Sequence, residues 1–184
     1  MSGTLALGQP PGEIDAALQA AEPAGHGLTV LPFLTGERSV GWNPLARGAV
    51  IGMKLKTRGL DILQAGMEAV AYRFAAILAL LGGAVPSATE IIGTGGALLG
   101  SPAWCQIIAD VLELPVTCAA VPESSSRGSA LLALESLGRI PGIDGERPAM
   151  GPTFLPRREY AGAHRQAARE QQRLYDALHG SLAT

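Results

Sequence analysis

Gly95, Gly96, Ala97 and Ser101 have the types and spacing to hold a phosphate or an adenosine with main-chain atoms. The β-prone pair Ile91-Ile92 runs into Gly93, Gly95 and Gly96, so a buried strand is expected to break there into a tight turn. Backbone N–H groups in such a turn reach a phosphate only where no Cβ holds it off, and glycine meets that condition. Ser101 before Pro102 marks a helix start: a hydroxyl acceptor at the N-cap, then a residue with no N–H to leave unpaired. Trp104, Ile107, Ile108, Val111 and Leu112 follow at helical spacing and form one apolar face. Strand, glycine turn and helix together make a candidate nucleotide site. The same arrangement also serves as a plain strand-to-helix connection in α/β proteins, and spacing alone leaves both open.

Other residues carry weaker chemistry. Gln106 and Asp110 stand one helical turn apart, away from Ile108 and Leu112. Asp110 is expected on a solvated face, and Gln106 is a candidate nucleotide contact. A dinucleotide site is the alternative, but Leu98 stands where the third glycine of G-x-G-x-x-G belongs. Glu123 closes the next strand, where a ribose-binding acid would sit. Ser124 to Ala130 opens a helix with small side chains, suited to close packing. Glu37, Arg38, Trp42 and Arg47 form a polar loop that either faces a cleft or is packed down by Trp42. His26, His164 and His179 lack ligand spacing and are expected at the surface.

These residues need elements to position them. Residues 12–21 read as a short helix, Leu28–Leu34 and Gly48–Leu55 as strands, and Thr57 as the cap of a long helix that Gly82-Gly83 ends. Then come the Glu90–Ile92 strand, the Ser101 helix closed by Pro115, a Val116–Val121 strand and a Ser124–Leu137 helix. Gly138 to Pro156 reads as a linker, and Arg158–Leu178 as a polar helix with Arg165, Arg169, Glu170 and Arg173 in solvent. Helices alternating with strands predict an α/β fold with a partly parallel sheet. The chain divides into a start (1–27), a core (28–137), and a linker with a final helix (138–184).

Composition narrows the function classes. With 14 basic and 16 acidic side chains there is no electrostatic footprint for nucleic acid. Cys105 and Cys118 lack CxxC spacing, which argues against a zinc site or disulfide framework and for reduced thiols. The start has no signal-peptide pattern, and the uncharged run Phe74–Thr89 is broken by Gly82-Gly83 and Pro86. A cytoplasmic protein with neither nucleic-acid nor membrane partner is expected.

Gly-Gly-Ala at 95–97, the run Ser101 to Asp110 and Pro115-Val116 resemble the C-terminal signature of the FGGY family of carbohydrate kinases, nearest to its gluconate- and xylulose-kinase-like members. Leu31–Gly48 and Glu123–Ala133 agree with it in order and spacing. The resemblance covers nearly the whole chain from Leu28 onward, and less than half of a whole kinase. It implies the C-terminal lobe of an actin-like, ribonuclease-H-like ATPase, with too few residues before the long helix for its three opening strands.

It also implies ATP, with Mg2+ carried through the nucleotide phosphates, at Gly95, Gly96, Ala97, Ser101 and Gln106, with Gly48 near the phosphates. The Ser124 helix would flank the adenine. No catalytic residue or metal ligand is implied on this chain. The family base is an aspartate in an N-terminal Gly-Asp motif, and Asp61, Asp110, Asp144 and Asp176 stand elsewhere. The function implied is transfer of the ATP γ-phosphate to a sugar or sugar-acid hydroxyl, gluconate-like, with a separate N-terminal lobe supplying sugar contacts and base. The partners implied are that lobe on another chain or a second copy. A non-catalytic nucleotide-binding module or gene remnant, and a dinucleotide-binding subunit, are the alternatives.

Overall fold

The computed structural model describes residues 8–82, 84 and 88–180. Helix α1 (Pro11–Ala20) takes proline in its first turn and buries Ile14 and Leu18 against Leu63 and Ala103. Strands β1 (Thr29–Leu31) and β2 (Ala49–Ile51) pair antiparallel, Val30 opposite Val50. Helix α2 (Gly59–Leu81) is the spine of the molecule.

Its start corrects the expectation at Thr57. Arg58 is the N-cap, and the Asp61 carboxylate accepts from its backbone N–H at 2.8 Å. Thr57 Oγ1 accepts from Lys54 N at 2.8 Å and so closes the preceding turn instead. By length and composition α2 could cross a membrane, yet half of its apolar window is buried inside the fold. It is the core helix, packed on α1, β1 and α4 (Pro102–Leu112).

The second sheet has the order β3 (Ile91–Gly93), β4 (Val116–Ala119), β5 (Met150–Phe154). β3 and β4 run parallel, β4 and β5 antiparallel. All four residues of β4 are buried, as befits a central strand. Strand β5 lies within the stretch expected to be a linker. Its Gly and Pro content hides it in sequence, but an edge strand tolerates both. Gly151 is needed there, because a Cβ would stand 3.0 Å from the Cys118 carbonyl. The Thr117 and Thr153 hydroxyls pair across the ladder at 2.8 Å.

Short α3 (Gly96–Leu99) precedes α4, and α5 (Ser124–Ser136) follows β4. The last helix, α6 (Ala161–His179), exposes Arg165, Arg169, Glu170 and Arg173 as expected. Its opposite face is buried, which the polar sequence did not suggest. Gln171 Nε2 donates to the carbonyls of Val30 at 2.9 Å and Ala69 at 3.0 Å, joining α6 to β1 and α2.

Candidate functional site

Strand β3 delivers the chain into the glycine turn. Gly95 has φ +107°, a conformation that L side chains rarely adopt. Its carbonyl accepts from Leu98 N at 3.1 Å and Leu99 N at 3.2 Å, so the N–H groups of Gly96 and Ala97 lie outside the α3 ladder. A Cβ built on Gly95 or Gly96 meets no atom within 4 Å, so this backbone faces open space. Gly93 is a packing glycine, since a Cβ there would stand 2.9 Å from Leu98 Cδ1. A ligand can therefore approach the main chain at residues 95–97.

The turn does not lead straight into the Ser101 helix. Gly100 ends α3, and α4 begins afresh at Ser101. Ser101 Oγ accepts from Trp104 N at 3.1 Å, the expected cap. The same hydroxyl donates to Asp15 Oδ1 at 2.5 Å, and Ala103 N donates to that oxygen at 3.2 Å. The anion at the positive end of α4 is thus the protein's own carboxylate, supplied by α1. Ser101 fixes the helix behind the turn instead of facing open space. Asp15 lies 86 residues away in sequence, and no local signal links the two.

Gln106 turns away from the turn as well. Its Nε2 donates to Asp110 Oδ1 and to the Leu155 carbonyl, both at 2.8 Å. Asp110, expected in solvent, is 1% exposed. Arg157 explains this: its Nη2 and Nε donate to Asp110 Oδ2 at 2.7 and 3.0 Å, and its backbone N–H donates to Oδ1 at 2.7 Å. Together Gln106 and Asp110 tie α4 to the segment leading into α6. Gly48 stands apart, at the start of β2. It lines a cavity of about 470 Å3 with Leu31, Phe33, Leu34 and Val70. The structure therefore gathers Gly95, Gly96 and Ala97 into one open turn, assigns Ser101 and Gln106 to bracing, and sets Gly48 on the other sheet.

Three further expectations are corrected. Trp42 is 72% exposed and does not pack its loop down. That loop is held by Glu37, which is 4% exposed and accepts from Arg73, from Tyr175 Oη at 2.6 Å and from Gly41 N at 3.1 Å. Burial alone would push this carboxyl up, but Tyr175, Gly41, Arg73 and Val40 together hold it below its usual range. Next, no side chain of α5 is buried, and a Cβ on Gly128 meets nothing, so its small residues are not packing another helix. β4 ends at Ala119, and Glu123 is the residue before α5, so it is no strand-end acid.

The histidines form the largest surprise. His26 Nε2 lies 3.1 Å from Glu68 Oε2, while its Nδ1 accepts from Leu28 N at 3.0 Å, which assigns the Nε2–H tautomer. Glu68, 1% exposed, also accepts from Ala24 N, Gln64 Nε2 and Tyr72 Oη at 2.9–3.1 Å. With the Tyr72 proton given to Glu68, His164 Nδ1 donates to Tyr72 Oη at 3.2 Å. Burial holds His164 below its ordinary pKa, so the ring is neutral. This chain of groups joins α2, α6 and the loop before β1. It is architecture, remote in sequence and in element from the glycine turn.

A family profile described as "FGGY family of carbohydrate kinases, C-terminal domain" matches residues 9–137, more than half of the chain. The chain belongs to the FGGY family of carbohydrate kinases. This FGGY domain is 32% identical over 140 residues to a gluconokinase of Bacillus subtilis (strain 168), covering 74% of the chain and 26% of that protein. It is 35% identical over 133 residues to a glycerol kinase of Leptothrix cholodnii, covering 70% of the chain and 27% of that protein. The xylulose kinase structure from Rhodospirillum rubrum superposes with TM-score 0.77 at 27% identity, over 94% of the chain and 35% of that protein. The FGGY domain has the fold of the C-terminal lobe of the actin-like ATPases and spans about a quarter to a third of the length of these relatives.

Proposed function

We propose that this FGGY domain holds ATP at the Gly95–Ala97 turn and acts as the nucleotide-binding lobe of a carbohydrate kinase. The observation that carries the proposal is the open main chain of that turn, which lies within the stretch the family profile matches. Bound ATP, with Mg2+ through its phosphates, supplies the transferable γ-phosphoryl group. The Gly96 and Ala97 N–H groups donate to phosphate oxygens, and the positive φ of Gly95 aims them. Asp15 and Ser101 keep α4 fixed behind the turn. Among the described residues no group of three His, Cys, Asp or Glu side chains is placed to hold a metal. The acceptor is a sugar or sugar-acid hydroxyl, gluconate-like by the resemblance to a gluconokinase, and a cytoplasmic setting is part of the same proposal.

The sugar contacts and the general base belong, in this proposal, to an N-terminal lobe outside the chain. Orientation by a second lobe supplies much of the barrier reduction in such reactions. The purified chain alone is expected to release no ADP in response to gluconate, xylulose, ribulose or glycerol with MgATP. A coupled-enzyme assay showing sugar-stimulated ADP release from this chain alone would overturn the division of labour.

The partner surface of the proposal is the β1–β2 layer. Leu34, Val50, Ile51, Met53 and Leu55 are 77, 42, 49, 59 and 107% exposed, an apolar concentration that a free surface rarely keeps. The chain is expected to self-associate or to copurify with another polypeptide. Light scattering that shows a compact monomer at high concentration would contradict this.

A further inference from the structure

We infer that Cys105 and Cys118 are a buried dithiol that a small hydroperoxide closes to an intramolecular disulfide. The two sulfurs stand 2.8 Å apart, both as free thiols. They are brought there by rigid elements: Cys105 by α4 and Cys118 by the central strand β4, where it is opposite Gly93. Their side chains already meet, so an S–S bond needs a displacement of about an ångström and no refolding. Nothing in the inference depends on nucleotide binding.

Both residues are almost fully buried, at 1% and 2% exposure, so the route in matters. A cavity of about 270 Å3, lined by Gly93, Leu98, Ile108 and Val116 among other apolar residues, opens beside the pair. A Cβ on Gly93 would stand 2.9 Å from Leu98 Cδ1 and 3.8 Å from both Cys118 Sγ and Val116 Cγ1, so that sulfur lies directly behind three residues of the cavity wall. The apolar lining and the size of the space admit neutral hydrogen peroxide and disfavour a charged tripeptide disulfide.

The chemistry closes on itself. The Cys118 sulfur attacks one peroxide oxygen as its thiol proton leaves. The O–O bond breaks, and the departing hydroxide takes the thiol proton as water, leaving a sulfenic acid. The Cys105 sulfur then attacks the Cys118 sulfur. The S–S bond forms, the S–O bond breaks, and the second hydroxide leaves as water with the Cys105 proton. Two thiols have given two electrons and two protons to one peroxide. Burial and the neighbouring Cys118 push the Cys105 thiol up to about 12, so Cys105 keeps its proton until it attacks and the closing step is slow. Closure also removes the proton with which Cys105 Sγ reaches the Leu98 carbonyl at 3.4 Å, a contact to α3 just past the glycine turn.

The test is mass spectrometry on the folded full chain. The protein is treated with hydrogen peroxide, quenched with catalase, then unfolded in iodoacetamide. Untreated chain should alkylate at two sulfurs. Treated chain should alkylate at none, weigh two hydrogens less, remain a single chain on a non-reducing gel, and recover both sites with dithiothreitol. Cys118→Ser and Cys105→Ser should each abolish the loss of two hydrogens, and the wild-type result stands even if a variant fails to fold. Two alkylated sulfurs after treatment, a bond between chains, or sulfinic acid without a disulfide would overturn the inference.

Discussion

Gly96→Val is expected to abolish ATP binding while leaving the fold intact. The structure makes this substitution unusually clean. A Cβ at Gly96 meets no protein atom within 4 Å, and the residue is not in the left-handed region. The valine methyls would occupy the space through which a phosphate approaches the Gly96 and Ala97 N–H groups. Affinity should fall by about 100-fold or more, roughly 3 kcal/mol. The melting temperature should stay within about 2 °C of the unmodified chain, because a surface change away from packing costs about 0.5 kcal/mol or less. Calorimetry and a melt on the same preparation check both halves. Equal ATP affinity in a folded Gly96→Val would move the site elsewhere. Gly95→Val is the poorer experiment, since φ +107° would strain any side chain and mix folding with binding.

The second large effect is on stability. Glu68→Ala is expected to cost about 3 kcal/mol or more, because it strands buried donors on His26, Gln64, Tyr72 and Ala24. For a chain of this size that is a fall of about 6–12 °C in melting temperature. The pH dependence follows from two depressed pKa values. Burial pushes the Glu68 carboxyl up, but the donors, His26 first, outweigh it and hold it below its ordinary 4.5. Its stabilisation is present above that ordinary value and is lost as pH falls through the folded one.

His164 is held below 6.5 by burial, so on acidification the unfolded chain takes up a proton before the folded one does. Wild type should therefore lose stability on acidification, first below pH about 6.5 through His164 and then below about 4.5 through Glu68. Glu68→Ala should keep the first step and show a shallower second one. Thermal melts from about pH 2 to 8 measure this. An unchanged melting temperature at pH 7, or an acid dependence as steep as wild type, would contradict the assigned network.

Local pattern made the α/β class, the two long helices and the glycine turn legible from the residues alone. Strand β3 announces itself by two isoleucines stopped by glycine, and α4 by Ser101-Pro102 and an apolar face. What failed was non-local. Asp110 reads as a solvated acid until Arg157, 47 positions on, closes over it. His26, Glu68, Tyr72 and His164 are each unremarkable in their own segments; His26 reaches Glu68 from the loop before β1, and His164 reaches Tyr72 because α6 folds back over α2. Strand β5 was hidden because Gly151 and Pro152, turn residues by composition, sit on an edge where a ladder tolerates them. At the candidate site the same limit applies. Ser101 and Gln106 have the types for ligand contact, but Asp15 and Leu155 reach them first.

Titration of the isotope-labelled chain with MgATP, followed by amide NMR, tests the central claim most directly. Saturable shifts are expected at the Gly95, Gly96 and Ala97 amides with one-to-one stoichiometry. The affinity should be weak, on the order of 0.1–1 mM, because a single open lobe neither excludes water nor closes over the phosphates. ATP that leaves those three amides unmoved, up to solubility-limited concentration, would contradict it.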